Sequence, residues 1–195
     1  MALPVTFVPG DILEASQLNS NFTYVEGLGG LTHIATATPT AVQSVSINSC
    51  FSATYANYLI LANFTAAVGV NAPITMRLRV SGTDATTNYN WQLMQAVSSS
   101  AVPTAGSSLA TSSFNVGEID ASSLVCNAQI TAFNPFATSK TLINVNGQSQ
   151  LSTARYDTKI ITGFNSNATS YDGFTLITAG TSFTGIIRVY GYANS

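Results

Sequence analysis

The sequence predicts an all-β protein: an antiparallel β-sandwich, jelly-roll-like, preceded by one short N-terminal α-helix. Segments such as ITMRLRV, residues 74–80, alternate apolar and polar side chains with the period of two that is typical of a half-buried strand. Short segments rich in β-branched and apolar residues recur along the chain with turn-forming residues between them, which indicates a sandwich or barrel. A β-sandwich of a different topology is the alternative.

The helix is predicted from GDILEASQLNSNF, residues 10–22. Asp11 is expected to cap its start, and Glu14 stands three residues later in the capping-box position. The glycines of EGLGG, residues 26–30, are expected to end it.

Apolar side chains of this helix form a seam. From Ala15 onwards they recur at spacings of three, four and three residues, as at the a and d positions of a coiled coil. The full predicted seam is Leu13, Ala15, Leu18, Phe22 and Val25. An isolated helix of about 15 residues is marginally stable in water. The seam is therefore expected to be buried, either on the sheet of its own domain or against other chains.

Ten strands are expected after the helix. YLILANF, residues 58–64, is apolar on both faces, as in a central strand, whereas VSSSAVPTAGSSLATSS, residues 97–113, is predicted to be an exposed loop. The strands are predicted near residues 41–47, 57–66, 73–81, 89–96, 113–119, 123–133, 140–148, 157–164, 172–178 and 183–192. We divide the chain into an N-terminal anchor segment, residues 1–30, and a β-sandwich domain, residues 31–195.

Charged residues are unusually few. They make up 7% of the chain, the net charge is −2, and no Asp, Glu, Lys or Arg lies between Glu26 and Arg77. Soluble monomers usually carry about 25% charged residues and a net charge away from zero. A surface of Ser, Thr, Asn and Gln that identical neighbours hide explains this composition best. The six basic residues form no cluster, so nucleic-acid binding is not expected.

The residue types that carry catalysis or bind metals are also few. His33, the single histidine, is placed in the linker after the glycines, and with two cysteines it cannot complete a structural zinc site. Five carboxylates could meet in space, but no local motif selects a catalytic pair: Asp84, Glu118, Asp120, Asp157 and Asp172. No catalytic residue, cofactor or metal is therefore expected. Asp84 and Asp172 are typical of turns.

The N-terminal sequence MALPVTF is not a secretory signal, so the chain is expected to fold in the cytoplasm. Cys50 and Cys126 are accordingly predicted to be buried free thiols rather than a disulfide. The longest apolar run, residues 58–64, is too short for a membrane-spanning helix, so no membrane span is expected.

Both ends of the chain resemble proteins of tailed-bacteriophage particles. FVPGDILEASQLNSNF, residues 7–22, resembles an N-terminal segment of many such virion proteins through Phe7, Gly10, Asp11, Leu13, Ala15, Leu18, Asn19 and Phe22. YDGFTLITAGTSFTGIIRVYGYAN, residues 171–194, is similar to the closing strands of phage fibre-like and capsid-surface β domains through Tyr171, Gly173, Gly180, Phe183, Gly185, Val189, Tyr190 and Gly191.

This resemblance implies a non-enzymatic structural protein of the virion, folded in the host cytoplasm and assembled as a homotrimer. The N-terminal helix would be its anchor to other virion proteins of the capsid or tail, and the three seams would pack together. A capsid-decoration spike, a short fibre and a tail knob are all open. The first alternative is a knob that binds a host receptor or surface glycan through residues 97–113 and exposed tyrosines. A glycan-degrading enzyme ranks last.

Overall fold

The computed structural model describes residues 4–10, 12, 14–27, 30–66, 72–119, 125–152 and 155–193. Within these ranges the chain forms one helix, α1 (Ala15–Gly27), and thirteen strands. The strands are β1 (Leu31–Ala37), β2 (Ser44–Ile47), β3 (Asn57–Ala66), β4 (Ala72–Val80), β5 (Thr83–Asp84), β6 (Tyr89–Val97), β7 (Thr104–Thr111), β8 (Phe114–Ile119), β9 (Val125–Phe133), β10 (Thr141–Ser152), β11 (Arg155–Asn165), β12 (Gly173–Thr178) and β13 (Phe183–Tyr192).

The strands form two antiparallel sheets. The large sheet has eight strands in the order β1-β13-β3-β9-β10-β11-β6-β7. The small sheet has five, in the order β2-β12-β4-β5, with β8 also paired to β4. From β2 to β4, from β7 to β9 and from β11 to β13 the chain crosses between the two sheets at every connection, whereas β9, β10 and β11 follow one another within the large sheet. The all-β sandwich predicted from the sequence is confirmed.

One apolar core lies between the two sheets. Ile74, Met76 and Leu78 of β4 are fully buried against residues of the large sheet such as Ile60 and Val145. Thr75, Arg77 and Arg79 alternate with them on the outer side, as the period of two predicts.

Val80 is an exception to this pattern, because sequence alternation placed it on the buried face. Its side chain is 39% exposed. Val80 pairs with Thr83 across a two-residue turn, in which Ser81 and Gly82 both have positive φ, of 49° and 79°. These angles are typical of the type I′ hairpin turn. The strand therefore reverses at Val80, at the edge of the core.

All ten predicted strands are present, and three further strands were missed. The prediction of an exposed loop over residues 97–113 is wrong, because β7 pairs along β6 within that range. Its Ser, Gly and Ala residues have low strand propensity, and pairing with β6 overrides it. β1 pairs with β13, so His33 lies in a strand, opposite Tyr190, rather than in a linker. The third is β5, the two-residue strand after the β4 turn.

The helix begins later than predicted. The Glu14 carbonyl accepts hydrogen bonds from the backbone N–H groups of Gln17 and Leu18, both at 3.1 Å, so Glu14 takes the N-cap position. The cap predicted at Asp11 lies outside the described residues. The helix ends at Gly27, within the glycine segment that was predicted to end it. Among the described residues, no helix has the length and apolar character needed to cross a membrane.

Candidate functional site

The Asn21 side chain joins the N-terminal segment to the helix. Asn21 is 7% exposed, its Nδ2 donates to the Val5 carbonyl at 2.9 Å, and its Oδ1 accepts from the Val5 N–H at 3.0 Å. The carboxamide thus satisfies both backbone groups of Val5, as a neighbouring strand would. Sequence reasoning missed this role, since an Asn within a helix carries no local signal for a partner 16 residues away.

The predicted seam is only partly covered in a single chain. Ala15 is exposed and Leu18 is half-buried, and Phe22 is 58% exposed. Leu13 and the side chain of Val25 lie outside the described residues. Apolar side chains before the helix are also open, since Val8 is 62% and Ile12 is 87% exposed.

Across the described part of the chain, no strand shares an extensive packing surface with α1. Of the two ways to bury the seam, packing on its own sheet therefore gains no support. Packing against other chains stays a prediction.

The outer face of the large sheet is a broad uncharged surface, formed by β9, β10, β11 and β6. In one cross-strand row, Gln129 lies opposite Asn146, Asn146 opposite Ile160, and Ile160 opposite Met94. Met94 is 62%, Leu142 52% and Ile160 51% exposed. Of the exposed residues described on these four strands, only Arg155 at the start of β11 is charged. This face mixes amides and hydroxyls with open apolar side chains.

A shallow groove of about 510 Å³ lies on this face, close to the β6–β7 edge. The lining combines the Trp91 and Phe164 rings and two leucines with uncharged polar side chains: Asn90, Gln92, Ser107, Asn144 and Thr162. Lys140 Nζ lies 5.6 Å from the centroid of the Phe164 ring, which is cation–π distance. Such a lining offers aromatic faces and neutral hydrogen-bonding groups side by side.

A second polar region is buried between the sheets. Lys159 Nζ lies 2.8 Å from Glu118 Oε2 and 3.2 Å from Asp157 Oδ2, and Gln95 Nε2 donates to Asp157 Oδ2 at 2.8 Å. The side chains of Asp157 and Lys159 are 0% and 5% exposed, against 30% for Glu118. The other carboxylate oxygen, Asp157 Oδ1, is buried and has no hydrogen-bond partner. We call Glu118, Asp157 and Lys159 the inner cluster.

The outer face of the small sheet carries a different charged network. Arg79 Nη1 lies 2.6 Å from Asp84 Oδ1, 2.6 Å from Thr175 Oγ1 and 2.7 Å from Ser46 Oγ. The side chains of Arg79 and Asp84 are 13% and 21% exposed, and Arg79 also donates to the Gly82 carbonyl. Arg79 Nε is buried without a partner. We call Arg79, Asp84, Thr175 and Ser46 the outer network.

The structure brings two of the five candidate carboxylates together. Glu118 and Asp157 meet at Lys159, whereas Asp84 lies in the outer network. Asp172 was predicted to cap its own turn, but its Oδ2 instead accepts from the Ser81 N–H at 2.9 Å, in the turn that follows β4. Asp120 lies outside the described residues. Sequence reasoning named Glu118 and Asp157 but had no signal for Lys159 between them.

The remaining candidates have structural contacts. His33 is exposed, with Nε2 2.8 Å from Thr36 Oγ1 and its ring edge-on to Tyr190 at 5.5 Å. Cys50 and Cys126 are free and buried, as predicted. Among the described residues, no group of three or more His, Cys, Asp or Glu could hold a metal ion.

The two thiols are held in their neutral form. Burial raises the pKa of Cys50 to about 12, and the nearby Asp172 carboxylate adds to the shift, against the lowering by a backbone hydrogen bond. Burial also raises the pKa of Cys126, opposed first by the hydrogen bond that Ser149 Oγ donates to its sulfur at 3.4 Å. Neither thiol is therefore a nucleophile near neutral pH.

Comparison of the chain with protein-family models, with curated proteins and with solved structures finds no match.

Proposed function

We propose that this chain is a structural protein on the surface of a tailed-bacteriophage particle, anchored through residues 1–30 and assembled as a homotrimer. The observation that carries the anchor is the open apolar surface of the N-terminal unit. Asn21 holds residues 4–10 to the helix, yet Val8, Ile12 and Phe22 remain exposed. Exposed apolar side chains gathered on a helix and on the segment before it are typical of a surface that a partner covers. The phage origin is supported by the resemblance of residues 7–22 and 171–194.

The uncharged face of the large sheet supports the trimer. Subunits that meet through amides, hydroxyls and apolar side chains bury no unpaired charge. A partner with a charged surface would bury its own charges against this face, which offers almost none to pair with them. The same face would be an aggregation hazard on a free monomer with a net charge of only −2.

The anchor is tested with Leu18→Asp combined with Phe22→Asp. We expect this double variant to lose attachment to particles while the sandwich stays folded by circular dichroism. A matched control places the same two charges on exposed polar positions of the same helix, as Asn19→Asp combined with Thr23→Asp, and should attach normally. Attachment of the seam variant equal to that of the control would contradict the anchor.

The trimer is tested by light scattering of the full chain. We expect three copies for the natural protein and a smaller mass for Ile160→Glu, which places a charge on the large-sheet face. Thr40→Glu, on an exposed residue outside the two sheets, is the control and should leave the mass unchanged. A monomeric natural protein would contradict the trimer.

A knob that binds a neutral saccharide is the second candidate function, and the 510 Å³ groove favours it. Its aromatic rings and amides are the groups that stack on a sugar ring and bond its hydroxyls. This candidate needs the large-sheet face open, whereas the trimer needs it covered. Loss of oligosaccharide binding in Asn144→Ala, with the mass of the protein in solution unchanged, would favour the knob.

A further inference from the structure

The inner cluster has the parts needed for a self-catalysed amide bond. Asp157 and Lys159 are two residues apart in β11, so both side chains point between the sheets. Glu118 reaches Lys159 from β8 of the small sheet. A nucleophilic nitrogen, a carboxyl group and a second carboxylate therefore meet inside the sandwich, where water is largely excluded.

An ion pair holds the amine beside the carboxyl group. Lys159 Nζ lies 3.2 Å from Asp157 Oδ2, so the two groups that would react are already neighbours. Gln95 Nε2 donates to that same oxygen at 2.8 Å and would stabilise negative charge developing on it. Asp157 Oδ1 is buried and has no hydrogen-bond partner, so no hydrogen bond has to break for this oxygen to leave.

Burial also supplies a driving force. Two charged groups held out of water cost free energy that their mutual attraction only partly offsets. Joining them replaces one ammonium and one carboxylate with a neutral amide. Glu118, whose side chain is 30% exposed, keeps contact with solvent.

We propose that Lys159 Nζ and Asp157 Cγ form an isopeptide bond, with Glu118 as the catalytic proton carrier. The ammonium first gives one proton to the Asp157 carboxylate, leaving an amine and a carboxylic acid. The amine attacks Cγ, and the negative charge develops on Oδ2 beside Gln95. Glu118 takes a second proton from the nitrogen and returns it to the departing Oδ1 hydroxyl. The N–C bond forms, the C–O bond breaks, and one water molecule leaves.

The condensation of Lys159 with Asp157 needs no other reactant. The three ammonium protons end as one amide N–H and the two hydrogens of the water, and Glu118 returns to its carboxylate form. The Glu118 side chain is 30% exposed, so solvent reaches the border of the site, where the released water can leave.

The test is the intact mass of the full chain, incubated until the mass is constant. We expect a mass lower than that of the sequence by one water molecule. Trypsin should then fail to cleave after Lys159, so that Tyr156–Arg188 is released as one peptide. A folded protein with the full mass and normal cleavage after Lys159 would overturn the proposal. Loss of water with normal cleavage would also overturn it, since a succinimide at Asp157 leaves Lys159 free.

Variants separate the chemistry from folding. Lys159→Arg keeps the positive charge but is not a nucleophile, and it should retain the full mass. Lys140→Arg, at an exposed lysine, should lose water as the natural chain does. Glu118→Gln should slow the reaction by at least about 100-fold, the usual contribution of a positioned proton carrier. An unchanged rate in a folded Glu118→Gln protein would overturn the role of Glu118.

Discussion

The inner cluster and the outer network use similar charged groups in different surroundings. Lys159 and Asp157 are almost fully buried, whereas Arg79 and Asp84 retain some exposure, and the Thr175 hydroxyl also donates to the Asp84 oxygen. Each group holds one buried atom without a hydrogen-bond partner, Asp157 Oδ1 in the inner cluster and Arg79 Nε in the outer network. Burial raises the free-energy cost of an uncompensated charge, while partial solvation limits it. The comparison teaches that burial between the sheets, rather than residue type, decides how much free energy an ion pair costs and whether its two groups gain by reacting with each other.

Breaking the inner cluster should have the largest effect. Lys159→Met leaves Glu118 and Asp157 without their cation. Relative to Lys159→Arg, which keeps the charge and cannot form the proposed bond, we expect the free energy of unfolding to fall by about 3–5 kcal/mol. Urea denaturation followed by circular dichroism measures it. A loss no larger than that of Lys140→Met, made at an exposed lysine, would show that the burial of Lys159 does not matter.

Breaking the outer network should cost less. Arg79→Met removes the contacts with Asp84, Thr175 and Ser46, which are charge-assisted but partly solvated. We expect a loss of about 1–2 kcal/mol by the same denaturation measurement. High salt should reduce the difference in unfolding free energy between Arg79→Met and the natural chain. It should leave the difference between Lys159→Met and Lys159→Arg unchanged. Equal losses for the two variants would contradict the comparison.

The Cys50 thiol allows a pH test at a site outside the two charged groups. Burial, with a smaller contribution from the Asp172 carboxylate, raises its pKa from 9.0 to about 12. The folded state keeps this thiol protonated where the unfolded chain ionises, so its contribution to stability is present below pH 9 and is lost as pH rises towards 12. We expect a loss on the order of 1 kcal/mol by about pH 10.

Cys50→Ala is the control for this pH dependence. Its unfolding free energy should fall less between pH of about 7 and 10 than that of the natural chain. Tyr89 contributes in the same direction, since burial raises its pKa too. A pH profile identical in both proteins would show that Cys50 is not the group responsible.

Removing both buried charges should have the smallest effect. Asp157→Asn combined with Lys159→Met leaves only Glu118, which water can still reach. We expect the free energy of unfolding to stay within about 1 kcal/mol of that of Lys159→Arg, which retains the ion pair, because neutral replacements of buried ion pairs are often tolerated. A loss as large as that of Lys159→Met alone would mean that the inner cluster stabilises the fold as a pair.

Local pattern determined most of the fold. The ten predicted strands, the alternation of β4 and the end of the helix at Gly27 follow from side-chain periodicity and turn residues. The missed strand β7 and the late helix start show the limit of such signals. Pairing with β6 recruits a segment of weak strand propensity, and the first helical hydrogen bonds described go to the Glu14 carbonyl.

The sites depended on contacts that sequence separation hides. Asn21 meets Val5 across 16 residues, and Lys159 meets Glu118 across 41. No local pattern marks either pair, because each contact exists only once the helix or the two sheets are packed. By itself the sequence determined an all-β chain with few charged residues and an N-terminal helix that carries an apolar seam. Only the tertiary structure decided which charges are buried together, since burial and distance are properties of packed sheets and not of neighbouring residues.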